Sequence, residues 1–173
     1  MDSQFPANLQ WRLSGPWGQV AANRFWNDTW QPFFASAGSY RLEVYSDGLQ
    51  TDSFRFQLLN PFAGTPIALG SETLATFTPN TATLTYPVDL VAGQRVEVRI
   101  LDRQNISSSI VCSLVDPTGT RLIEANLYSS DVFTATARTT GRHSVMLVGD
   151  LGDKGSGGFV RFAVNNVGIT PPT

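Results

Sequence analysis

The chain repeats part of itself, and this repeat restricts the folds that it can adopt more than any single motif does. Three segments recur in the same order, at offsets of 101, 103 and 106 residues, as short loop insertions would produce. The matching pairs are 11–18 with 112–119, 38–44 with 141–147, and 54–60 with 160–166. A repeated unit of this length predicts two related β-rich blocks rather than one continuous domain.

The offsets also predict where the blocks divide. One complete unit occupies residues 61–173, and residues 1–60 correspond to the second half of another unit. The junction falls in 60–66, where two prolines and a glycine separate strand-rich segments. We therefore expect a complete unit preceded by a half unit.

Alternating side chains predict short strands throughout the complete unit. Residues 96–100 place Val96, Val98 and Ile100 on one face and charged residues on the other. Their expected partner is 84–90, in which Pro87 favours an edge strand or a bulge. Further strands are predicted near 72–77, 109–115, 120–125, 131–137, 143–149 and 158–165. The fold class is all-β, an antiparallel β-sandwich of jelly-roll type.

Composition argues against several functions. Twelve basic and fourteen acidic residues leave a net charge of −2, and a single lysine gives no basic face for nucleic acid. No apolar run approaches the roughly 18 residues of a membrane span, so membrane insertion is not expected. The only cysteine, Cys112, and the only histidine, His143, exclude an intrachain disulfide and disfavour histidine-based catalysis. Cys112 and His143 fit structural positions in a core, and we expect no enzyme activity.

The half unit carries more large apolar side chains than half a sandwich can bury. Either 1–60 packs on 61–173, or another copy covers it, or residues that precede it supply the missing strands. The side chains expected at such an interface are Trp11, Trp17, Phe25, Trp26, Trp30, Phe33 and Phe34. The alternative is an aromatic platform for a polysaccharide, formed by Trp17, Trp26 and Trp30 with Tyr45 and Tyr128.

A glycine-rich loop at 150–158 contains the candidate metal ligands Asp150 and Asp153. Calcium prefers oxygen ligands from loops of this kind, although the spacing of known calcium loops is absent. The alternative is a solvated connection between two strands. No cofactor other than such a calcium ion is expected.

The order of several motifs resembles a known family. Tyr86 precedes the Ala92-Gly93-Gln94 turn, which is followed by the turn at 116–119 and by strands at 141–147 and 159–162. This order is similar to that of bacterial pre-peptidase C-terminal domains and related jelly-roll repeats of large surface proteins. Those repeats have a tyrosine where this unit has His143, and Tyr40 keeps it in the half unit.

The resemblance implies a non-catalytic module of an exported bacterial protein, in a family that sometimes binds calcium. We therefore expect an extracellular or cell-surface protein with a structural or adhesive role, assembling with neighbouring copies into a fibre or surface array. The alternative is a carbohydrate-binding or spacer module of a secreted enzyme.

Overall fold

The computed structural model describes residues 9–24, 38–46, 58–150, 153 and 155–169. The chain divides into two compact units, Met1–Leu58 (unit 1) and Leu59–Thr173 (unit 2). All regular structure in the described residues is antiparallel β-sheet, which confirms the predicted fold class. None of these residues belongs to a helix long and apolar enough to cross a bilayer.

Unit 2 is a sandwich of two four-stranded sheets. Sheet I has the strand order β5-β10-β7-β8, and sheet II has the order β4-β11-β6-β9. The strands are β4 (Glu72–Phe77), β5 (Thr83–Leu90), β6 (Gln94–Gln104), β7 (Val111–Val115), β8 (Arg121–Asn126), β9 (Val132–Thr136), β10 (Gly141–Val148) and β11 (Gly158–Ile169). All eight overlap the strands predicted from alternation, and β4 coincides with its prediction.

The core of unit 2 lies between the two sheets and is almost entirely apolar. Tyr86 from sheet I meets Phe162 from sheet II edge to face, with ring centroids 5.2 Å apart. Cys112 and His143 are completely buried, as expected of structural residues. The largest fully buried apolar side chains of this core are Phe77, Leu90, Ile110, Leu114, Leu127, Leu147 and Phe162.

The predicted pairing of residues 84–90 with residues 96–100 is wrong. β5 pairs with β10 in sheet I, whereas β6 pairs with β11 and β9 in sheet II. The turn between them, in which Gly93 has a φ of 82°, carries the chain from one sheet to the other. The alternation of side chains does not predict which sheet a strand joins, because a strand with one buried face has the same pattern in either sheet. Pro87 does lie on an edge strand, since β5 is the first strand of sheet I.

Unit 1 contains a three-stranded sheet with the order β2-β1-β3. Its strands are β1 (Leu9–Gly15), β2 (Gly18–Arg24) and β3 (Arg41–Ser46). β1, β2 and β3 have the same order and direction as β7, β8 and β10 of sheet I.

The strand registers of the two sheets agree residue for residue. Leu13 pairs with Leu42 as Leu114 pairs with Val145, and a register shift follows Leu13 and Leu114 alike. The repeat seen in the sequence is therefore also a repeat of pairing geometry. Whether unit 1 is half of a sandwich stays a prediction, because much of it lies outside the described residues.

Two glycines explain part of the repeated sequence pattern. Gly38 and Gly141 have φ angles of 155° and 146°, a region that disfavours side chains. A Cβ on Gly38 would lie 2.3 Å from Cγ of Pro16, and one on Gly141 would lie 3.0 Å from Cγ of Pro117. Each unit thus packs a proline from one turn against the glycine that leads into the next paired strand.

Candidate functional site

The first candidate site is the edge of β3 that faces away from β1, here called the β3 edge. In sheet I the equivalent edge of β10 pairs with β5 over eight positions, from Gly141 with Leu90 to Val148 with Thr83. Among the described residues of unit 1, no strand occupies this place beside β3. An edge of this kind presents N–H and C=O groups that can pair with another strand.

The face of unit 1 that corresponds to the sandwich core is incompletely covered. In unit 2 the core positions of β7 and β10 are completely buried, whereas most of their counterparts in β1 and β3 keep some solvent exposure. The counterparts are Trp11 for Cys112, Leu13 for Leu114, Tyr40 for His143, Leu42 for Val145, and Val44 for Leu147. Leu13 alone of the five in unit 1 is buried.

The opposite face of β3 carries a row of charges centred on Glu43. Its carboxylate accepts a hydrogen bond from Nη2 of Arg12 at 2.5 Å and lies 3.0 Å from Nη2 of Arg41. The hydrogen bond from Arg12 is the largest influence on the pKa of Glu43 and lowers it below the usual range. The Arg41 side chain remains 79% exposed, so its guanidinium can reach further acceptors.

The predicted aromatic interface is described only in part. Trp11 lies on β1 and is half-buried, whereas Trp17, in the turn between β1 and β2, is 91% exposed. The other predicted interface side chains, Phe25, Trp26, Trp30, Phe33 and Phe34, lie outside the described residues. Tyr45 is partly exposed, and its hydroxyl donates to Oε1 of Gln10 on β1.

The second candidate site is a solvent-open cleft of about 480 Å³ at one end of unit 2. It is lined by Asn80, 105–107, Asp150, Asp153 and 155–156, so both predicted metal ligands meet here. The hydroxyl of Ser107 donates to Oδ2 of Asp150 at 2.5 Å. Among the described residues, no group of three or more acidic, cysteine or histidine side chains could hold a metal ion.

The carboxylate of Asp153 accepts protein hydrogen bonds at both oxygens. The N–H of Gly155 donates to Oδ1 at 2.9 Å, and the amide of Asn80 donates to Oδ2 at 3.0 Å. These donors, with Gly155 the larger influence, lower the pKa of Asp153. The calcium hypothesis stays a prediction.

Asn80 holds this cleft together, although no sequence motif marked it as a site residue. Its side chain is 2% exposed and donates both to Asp153 and to the carbonyl of Asn105, the latter at 2.9 Å, while Oδ1 accepts from the N–H of Gly158 at 3.1 Å. Its backbone N–H also donates to the carbonyl of Gly155. One buried side chain thus joins three loops that are distant in sequence. The only sequence signal at Asn80 was the preceding proline, which is typical of a turn.

His143 projects into the core of unit 2 in line with Val145 and Leu147. Its Nδ1 lies 3.0 Å from the carbonyl oxygen of Gly141, and its Nε2 is buried and has no hydrogen-bond partner. A ring enclosed in this way cannot reach a substrate in solution.

Comparison with known proteins finds similar structures but no family. No family model matches the chain, and no curated protein matches it in sequence. The structure resembles the pre-peptidase C-terminal domain of a collagenase from Bacillus anthracis, with 15% identity and a TM-score of 0.46 over 62% of this chain and 100% of that domain. This domain is of the same type as the one that the motif order resembles.

Two lysozyme inhibitors show a similar degree of likeness. The periplasmic inhibitor of g-type lysozyme, PliG, from Aeromonas hydrophila is 15% identical, with a TM-score of 0.45 over 60% of this chain and 98% of the inhibitor. PliG from Salmonella Typhimurium is 14% identical, with a TM-score of 0.43 over 60% of this chain and 100% of the inhibitor.

Proposed function

We propose that this chain is a non-catalytic β-sandwich module of an extracellular bacterial protein, and that it assembles with neighbouring copies through unit 1 into a fibre or surface array. The observation that carries the proposal is the β3 edge, which no described strand of unit 1 covers although its equivalent in unit 2 is fully paired. Adding a strand to such an edge is a common mode of protein association, because backbone hydrogen bonds supply much of the affinity.

The non-catalytic part of the proposal is supported by the environment of the reactive side chains. The only cysteine and the only histidine of the chain are both buried in the core of unit 2. Burial raises the pKa of the Cys112 thiol to about 12, so the nucleophilic thiolate is scarce at neutral pH. The exported setting is supported by the motif order that resembles pre-peptidase C-terminal domains.

Light scattering over a concentration series tests the assembly. We expect the mass of the chain to rise with concentration, and negative-stain images to show discrete oligomers or filaments. Arg41→Glu should reduce this association by about tenfold, because it replaces an exposed cation of β3 with an acid beside Glu43.

The matched control is Arg142→Glu, which makes the same charge change at an exposed position of unit 2. This variant should associate like the unaltered chain. A monomer at every concentration, or equal losses in the two variants, would contradict a role for unit 1 in assembly.

A second candidate function, polysaccharide binding, is favoured by the exposure of Trp17. An indole that is 91% exposed in a tight turn has its faces available for stacking on a sugar ring. If the module binds polysaccharide, soluble glycans should quench the tryptophan emission in the unaltered chain and not in Trp17→Ala.

Trp17→Ala should itself change the free energy of unfolding by less than about 0.5 kcal/mol, because an exposed side chain contributes little packing. A loss of quenching would therefore report binding rather than unfolding. Unchanged quenching in Trp17→Ala would show that this indole is not the binding site.

A further inference from the structure

We propose that two copies of this chain pair through their β3 edges in antiparallel fashion, about a two-fold axis that places Leu42 opposite Leu42 of the second copy. The result would be a continuous six-stranded sheet with the order β2-β1-β3-β3-β1-β2. This contact closes as a dimer, so a fibre or surface array needs a second contact between such dimers. This inference rests on the proposed function and names the partner and the register of the same surface.

β3 has the properties of an edge that accepts a partner. It is six residues long, pairs with β1 without a register shift, and contains neither proline nor lysine. β2, the other edge of this sheet, pairs with β1 through a register shift, which is a common protection against edge pairing. In unit 2, the edge strand β5 contains Pro87, whose carbonyl already accepts a hydrogen bond from the N–H of Ile67.

The possible two-fold registers differ in which residue lies on the axis and therefore in which side chains lie opposite each other. With Leu42 at the axis, Arg41 lies opposite Glu43, and Tyr40 lies opposite Val44, so charges and apolar groups both find matching partners. With Glu43 at the axis, two carboxylates would face each other, which is unfavourable.

The register with Val44 at the axis gives fewer favourable side-chain pairs. It would place Leu42 opposite Ser46 and Glu43 opposite Tyr45, so that an apolar side chain faces a hydroxyl and the acid lacks a cation across the interface. Of the three registers centred on residues 42, 43 and 44, the sequence of β3 therefore favours the one centred on Leu42.

The existing ion pairs strengthen this choice. Within its own chain, Glu43 already contacts Arg12 through Oε2 and Arg41 through Oε1. In the Leu42-centred register, Arg41 of the second copy would approach the same carboxylate from across the interface. Each carboxylate would then have the second copy's Arg41 beside its own Arg12 and Arg41, and the two-fold axis produces this arrangement twice.

Disulfide trapping in the full chain tests which residues of the two β3 strands lie opposite each other. Cys112 is buried and scarcely ionised, so a cysteine introduced into β3 is the only accessible thiol. Leu42→Cys, Glu43→Cys and Val44→Cys are each exposed to oxidised glutathione, and the covalent dimer is measured by non-reducing electrophoresis. We expect Leu42→Cys to form at least about tenfold more dimer than the others, because only opposed residues meet disulfide geometry.

Val44→Cys is the matched control, because it lies on the same face of β3 as Leu42. In the proposed register, residue 44 of one copy is separated from residue 44 of the other by four positions, or roughly 13 Å. A second experiment avoids the partly buried face: when Arg41→Cys and Glu43→Cys chains are mixed, the mixed disulfide should exceed both homodimers.

The outcomes separate this inference from the proposed function. Faster trapping at residue 43 or 44, or association without trapping at any β3 position, would overturn the register while leaving assembly intact. A chain that stays monomeric by light scattering and forms no trapped dimer would overturn both.

Discussion

Asn80→Ala is expected to lower the free energy of unfolding of unit 2 by about 3 kcal/mol. The substitution removes an amide that donates to the carbonyl of Asn105 and to Asp153, and a carbonyl that accepts from Gly158. Buried groups that lose their partners incur a desolvation cost that is larger than the net value of the bonds themselves. Urea unfolding measures the effect, with labelling of the buried Cys112 thiol as the signal from unit 2.

Thr76→Ala is the matched control, since Thr76 is an exposed residue of β4 close in sequence to Asn80. It should change the unfolding free energy by less than about 0.5 kcal/mol. Asn80→Asp separates hydrogen bonding from side-chain volume, because it keeps the shape and the acceptor but loses both N–H donors and adds a charge beside Asp153. If Asn80→Ala unfolds at the same urea concentration as the control, Asn80 does not hold the loops together.

Asp116→Ala is expected to lower the free energy of unfolding of unit 2 by about 2 kcal/mol. Oδ1 of this buried residue accepts hydrogen bonds from the N–H and the hydroxyl of Thr118, at 2.9 and 2.7 Å, and from the N–H of Thr120 at 2.8 Å. Alanine would remove the acceptor of the two backbone N–H groups in the turn between β7 and β8. Asp116→Asn, which keeps an acceptor at Oδ1, should cost about 1 kcal/mol or less.

We also expect the stabilisation by Asp116 in this turn to depend on pH. Burial by itself raises the pKa of Asp116, but the hydrogen bonds from 118–120 outweigh it, so the pKa lies below the ordinary value for aspartate. A lowered pKa in the folded state adds stability above the unfolded-state value of about 4, and this contribution is lost as the pH falls toward the folded-state pKa. The difference in unfolding free energy between the unaltered chain and Asp116→Asn should therefore shrink below about pH 4. A constant difference down to pH 2 would show that the charge of Asp116 does not stabilise the fold.

The strands and the turn of unit 2 could be predicted from the sequence because their signals are local. Alternating residues in 96–100 predicted that strand with its buried face, a strand was also predicted at 72–77, and Asp116 with the following proline marked the turn. The repeat also corresponded to strand pairing, because the equivalent residues Leu13 and Leu114 occupy equivalent paired positions in their sheets.

The pairing of strands could not be predicted in the same way. The connection between β5 and β6 is short enough for a hairpin, yet the chain crosses to the opposite sheet, where β6 lies between β11 and β9. Both arrangements bury the same faces of the two strands, so the choice depends on how eight strands together enclose one core.

The amino-acid sequence by itself determined the strand pattern, the recurring segments and the burial of Cys112 and His143, because each of them leaves a signal in short stretches of the chain. Only the tertiary structure decided that Asn80 joins loops 25 and 73 residues away, and that the β3 edge has no partner among the described strands of unit 1. The physical reason is that hydrogen bonds between distant loops, and the edges of sheets, follow from the packing of whole strands and leave no periodic signal along the chain.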